Sequence, residues 1–108
     1  MLQPFYTKLA GVTFGNSQEN IKKWGCADVG YFNLEREHDN PHDHNAVGVW
    51  FLRDRLGYLQ KSVAAKLAPM MDGGASFSAE FVCRNEYAPY ENVGLTVRIV
   101  ETTNLPMQ

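Results

Sequence analysis

A chain of 108 residues, 44% hydrophobic and 20% charged, is long enough to bury one core without a metal or disulfide staple. Its formal net charge of -2 excludes a uniformly basic surface that would wrap duplex nucleic acid by counterion release, though a local basic patch stays open. Cys26 and Cys83 are far apart and read as reduced thiols; no apolar run approaches the ~18 residues of a membrane span, and the first residues lack a targeting pattern, so a cytoplasmic protein without membrane contact is expected.

In chain order, Lys8 to Phe14 reads as a first strand, with Gly11 marking a bulge or a close backbone approach. Residues 15–25, GNSQENIKKWG, read as a polar loop with one helical turn, which Asn16 or Ser17 can cap and Gly25 can close. A second strand starts near Val29 and places Tyr31 and Asn33 on one face, Phe32 and Leu34 on the other. Ala46 to Leu52 is rich in β-branched and aromatic residues, and a turn at Arg53-Asp54-Arg55 joins it to LGYL as a hairpin. Lys61 to Met71 is the one helix expected: Ser62 caps it, Val63, Leu67 and Met70 share a face, Pro69 shortens or kinks it, and Gly73-Gly74 ends it.

Residues 75–85 then alternate strictly, with Phe77, Ala79, Phe81 and Cys83 on one face. After the turn-rich EYAPYEN, a last strand turns Val93, Leu95, Val97 and Ile99 inward, and the two chain ends read as loose. About six strands with one α-helix after the central hairpin describe a mainly β protein, a small, partly closed β-barrel of the OB-like or SH3-like kind, because closure hides strand edges. An open α+β sandwich is the alternative.

The stretch REHDNPHDHNAVGVW, residues 36–50, collects all three histidines. His38, His42 and His44 suggest a zinc site, but Pro41 opposes the helix that would make residues four apart converge, and no cysteine stands nearby. Catalysis lacks a pattern: the chain has no nucleophile elbow, Walker loop, GxGxxG or HExxH. As a plain turn, Asn40-Pro41 supplies a type I start while Asp39, Asp43 and Asn45 bond their own backbone. A turn alone does not explain so long and polar a segment directly before AVGVWF.

The succession KLAGVTF, then EREHDNPHDHNAVGVW, then RLGYLQKSVAAKLAPMMDGG resembles the HIRAN domain, found in replication-fork remodelling helicases and as stand-alone bacterial and phage proteins. The likeness runs from about Lys8 to Val100, and NPxDxNA, an apolar strand, a G-Y-L strand and an alanine-rich helix keep their order and spacing, so residues 1–108 are expected to form a single such domain. It implies an OB-like barrel whose pocket captures the 3′ end of single-stranded DNA in repair or fork processing, with a helicase or nuclease as partner; with no catalytic motif in the chain, no enzymatic activity and no cofactor are expected.

On matching positions, the resemblance puts Asp43 at the terminal 3′ hydroxyl, Asn40 beside the base and sugar, Lys61 at the DNA backbone, Tyr58 at the Tyr/His position of its strand, and Phe14 where an aromatic stacks on a base. Two positions depart. Thr13 stands in place of an arginine, and His42 in place of a tyrosine; a histidine still stacks and, when protonated, adds positive charge. Arg53 and Arg55 read only as residues that keep the hairpin turn soluble. The alternatives are a protein-interaction adaptor without DNA affinity and, third, a zinc-binding or hydrolase-associated domain.

Overall fold

Six antiparallel strands in the order β1-β6-β5-β2-β3-β4 form one sheet in the computed structural model, which describes residues 2–86 and 92–102. They are β1 (Phe5–Lys8), β2 (Tyr31–Arg36), β3 (Val47–Phe51), β4 (Asp54–Tyr58), β5 (Phe77–Asn85) and β6 (Gly94–Glu101). Helix α1 (Ser17–Trp24) follows β1, and helix α2 (Lys61–Asp72) follows the β3–β4 hairpin. The sheet curls into an OB-like half-barrel, as right-handed strand twist favours.

One short segment brings the two edges of the sheet together. Leu9 leaves β1 with its N–H on the Leu95 carbonyl of β6 (2.9 Å), and Ala10 then exchanges two hydrogen bonds with Tyr58 of β4 (2.7 and 2.9 Å). The chain therefore crosses from one edge strand to the other within two residues. Gly57 makes this approach possible: a Cβ there would lie 2.8 Å from the Ala10 carbonyl oxygen.

Period-2 alternation explains the core. Phe32, Val47, Val49, Leu56, Ala79, Leu95, Val97 and Ile99 line the concave side with at most trace exposure, while Ile21 of α1 and Ala64 and Leu67 of α2 close over them. The buried face of β6 is the one read from the sequence, and β2 alternates as read, with Phe32 buried and Tyr31 exposed. In β5 the alternation holds only for its first half: a register shift between Phe81 and Cys83 inserts an extra residue opposite β6, so Cys83 is exposed.

Other expectations need correcting. Residues 9–14 are not a strand, because Gly11 and Gly15 adopt positive φ (60° and 53°) and turn the chain; the first strand instead lies earlier, and the N-terminal end packs as β1 against β6. The polar segment after it is a helix of eight residues, longer than one turn, held by Ile21 in the core and by Gln18. Gln18 donates to the carbonyls of Val12 and Val93 and accepts the Val93 N–H (2.7, 2.9 and 2.8 Å), which also fixes the turn between β1 and α1.

The hairpin turn is Leu52-Arg53, with Leu52 at φ 56°, and Asp54 already belongs to β4. Ser62 lies inside α2, whose N-cap is Gln60, and the helix runs through Pro69 to Asp72, burying Ala64, Leu67 and Ala68. Residues 87–91, most of the EYAPYEN turn, and the last residues of the chain lie outside the described residues.

Candidate functional site

The polar loop between β2 and β3 is held from both ends. Glu37 N–H donates to the Ala46 carbonyl (2.9 Å), closing the base of the loop. Arg36 spreads its guanidinium over the carbonyls of Ala46 and His44 (2.9 and 3.1 Å) and the carboxylate of Asp72 at the end of α2 (3.0 and 3.1 Å). His38 reaches the same carboxylate (3.0 Å), and these bonds, Arg36 first, hold the Asp72 carboxyl below its usual range.

Inside the loop, Asn40 accepts the N–H groups of His42 (2.9 Å) and Asp43 (3.1 Å) on its side-chain oxygen. Asp43 in turn accepts the Asn45 N–H on Oδ1 (2.9 Å), so two consecutive side-chain turns shape the backbone around Pro41. Oδ2 of Asp43 has no protein partner among the described residues.

The six residues singled out from the sequence line one cavity of about 440 Å³: Phe14, Asn40, His42, Asp43, Tyr58 and Lys61, with Ala10, Gly11, Ala46 and Leu59 completing its wall. It sits at the seam where Ala10 meets Tyr58. Phe14 is 57% exposed, so its ring is a surface platform and not part of the core. Gly11, behind it, is crowded by the Phe14 and Tyr58 rings and could carry no side chain there without strain.

Lys61 opens α2, a helix with no side-chain N-cap bond and no acid in its first turn. Lys61 lines the cavity, so a cationic residue and the partial positive charge of the helix N-terminus border it. A second, more polar cleft of about 570 Å³ shares Asn40, His42 and Tyr58 and continues along Arg36, Glu37, His38, Asp39 and Pro41.

The three histidines do not come together. His38 turns to Asp72, His42 lines both clefts, and His44 lines neither; no group of three metal-ligating side chains occurs among the described residues. Thr13 is exposed on the turn next to Phe14.

Two residues of this region escaped the sequence reading. Tyr58 donates its hydroxyl hydrogen to Glu37 Oε1 (2.9 Å) and accepts from Arg55 (2.8 Å), whose guanidinium also lies 4.9 Å from the ring centre. Burial first, then the bond to Glu37, push the Tyr58 phenol above its ordinary pKa, and the Arg55 charge offsets part of this. Arg55 was invisible because residues three apart on a regular strand face opposite sides. The register shift opposite Val49/Trp50 lets β4 spend two residues on one step of β3, and that brings Arg55 and Tyr58 together.

The model for the HIRAN domain matches residues 4–101. Among solved structures, a protein from Lactobacillus plantarum superposes with a TM-score of 0.69 at 20% identity, covering 89% of each chain. The HIRAN domain of human HLTF superposes with a TM-score of 0.59 at 19% identity, over 91% of this chain and 74% of that one. At such identities the two structures speak for the fold. No curated protein matches the chain.

Proposed function

This chain belongs to the HIRAN domain family, known as DNA-binding modules, and from that premise we propose that its cavity captures the 3′-hydroxyl end of single-stranded DNA without catalysing a reaction. The observation that carries the reading is the composition of one wall: a carboxylate oxygen and a lysine at a helix N-terminus, neither with a protein partner among the described residues, and an exposed aromatic ring line a single cavity. Asp43 Oδ2 accepts the terminal hydroxyl hydrogen. Phe14 and His42 offer flat faces to the last base, each stack contributing roughly 1–3 kcal/mol. Lys61 and the first turn of α2 meet the phosphodiester that precedes it.

The same carboxylate makes the site selective. A 3′ phosphate in place of the hydroxyl sets like charges a few ångströms apart, a cost of roughly 1–4 kcal/mol between water-like and surface dielectric. A duplex end offers no unstacked base. Partners of this activity are single-stranded DNA and, at a fork or repair site, a helicase or nuclease that makes or uses the free end.

Anisotropy titration of labelled strands ending in a 3′ hydroxyl or a 3′ phosphate, and of a blunt duplex, tests the proposal. The hydroxyl strand is expected to bind roughly tenfold or more tightly than the phosphate strand, and Asp43→Ala to erase that difference while leaving residual stacking. Equal affinity for all three, or none for any, sinks it. A protein-interaction adaptor is what the second outcome would favour; its surface would be the convex sheet face, where Tyr6 and Tyr31 stand exposed at either end of the cross-strand row that also holds Arg98 and Glu80.

A further inference from the structure

Glu37 touches neither the free oxygen of Asp43 nor Lys61, yet it joins the parts of the cavity that come from distant sequence. Its Oε1 accepts the Tyr58 hydroxyl of β4 (2.9 Å) and the side-chain N–H of Asn40 in the loop (3.3 Å). Asn40 uses its other end to hold the N–H groups of His42 and Asp43. A continuous chain of hydrogen bonds thus runs from Arg55 through Tyr58, Glu37 and Asn40 to the backbone that carries Asp43.

We propose that Glu37 is the positioning residue of this cavity: it ties the loop to strand β4 and so sets where Asp43 and His42 stand relative to Phe14 and Lys61. The inference deepens the DNA-end reading and rests on it for its ligand. The carboxylate is confined to this task by its surroundings. A Cβ on Gly48 would lie 2.8 Å from Glu37 Oε2 and 2.5 Å from the Trp50 indole nitrogen, so glycine at that position leaves the space both groups occupy.

Specificity follows from the same bonds. A phenol has one hydrogen to donate, and Tyr58 gives it to Glu37 while accepting from Arg55. Tyr58 then offers a ligand its ring and no hydroxyl proton. Tyr58 therefore contributes stacking and no donor to the recognition of a base edge.

Full-length Glu37→Ala and Glu37→Gln proteins test this by two readouts. The first, amide hydrogen exchange at His42 and Asp43, needs no DNA; the second is affinity for the 3′-hydroxyl strand. Loss of the acceptor in E37A is expected to speed exchange at those two amides and weaken the strand by roughly tenfold or more each, with Leu95 and Ile99 amides unchanged. A glutamine oxygen still accepts from both partners, so E37Q is expected to stay within about threefold of the parent protein. If E37A does not fold, Glu37→Asp, a methylene too short to hold both partners, supplies the comparison.

Unchanged exchange in the truncated variant overturns the proposal whether or not strands bind. Faster exchange with undiminished affinity, or E37Q as impaired as E37A, overturns it too. If the parent protein binds no strand, the functional reading falls alone, and the exchange rates still decide whether Glu37 orders the loop.

Discussion

At the scale of single residues, the cavity rests on side-chain atoms that hold the loop together, Glu37 Oε1 and Asn40 Oδ1 accepting two hydrogen bonds each. Asp43 keeps one oxygen open because Asn45 takes the other. Tyr58 keeps none, since Glu37 and Arg55 take both sides of its hydroxyl. That phenol also has a consequence for stability. Its folded-state pKa is raised, so the neutral form contributes fully below the ordinary tyrosine value of ~10 and the contribution is lost as pH climbs through the folded value. Thermal unfolding between about pH 9 and 11 is expected to show a steeper alkaline loss for the parent protein than for Tyr58→Phe, which has no proton to lose. Parallel pH profiles would contradict the half-buried, hydrogen-bonded phenol. Of these residues, Asp43 and Asn40 were legible because NPxDxNA resembles the family's signature; the proline turn with Asx side chains by itself announced only a shaped loop. Glu37 was not, because its two partners lie on different elements.

Elements decide which of these residues meet. Helix α2 delivers Lys61 to the rim because Gln60 leaves the helix start open, with no side-chain bond to its first N–H groups. Lys61→Gln removes one mobile charge and leaves the helix, so every single strand should bind more weakly by a similar factor and the slope of log affinity against log salt should fall by about 1. A loss confined to one type of end would place Lys61 in end discrimination and away from the phosphate. Strand periodicity was readable wherever pairing is regular, as in β2 and β6. It misled in β5, where an extra residue inverts which side chains face the core and nothing local in FVCRN marks it; the bulge in β4 is equally unmarked in RLGY. Helix α1 was under-read for a similar reason: Ile21 and Gln18 anchor it through contacts with distant strands, which its polar composition does not disclose.

For the whole molecule, the decisive event is the meeting of the two sheet edges of the half-barrel at Ala10 and Tyr58, which supplies one wall of the cavity. Gly57→Ala should therefore cost stability and function together. The new methyl lies 2.8 Å from a backbone oxygen that cannot rotate away, so a loss of about 1–3 kcal/mol by denaturant unfolding is expected, with weakened 3′-end binding. Full stability would show that the seam is soft and the cavity independent of it. The net charge of -2 also acts at this scale: a site with one lysine and one helix terminus on an acidic protein suits a strand end and a short contact, not a long duplex. By itself the sequence determined a mainly β domain, the alternation of its regular strands, and a polar, proline-shaped loop, because alternation and turn chemistry act over a few neighbouring residues. Only the tertiary structure decided that Phe14, Asp43, Tyr58 and Lys61 share one cavity and that Glu37 and Arg55 brace it. Those contacts depend on strand register, bulges and edge closure, which are set by packing between segments far apart in the chain.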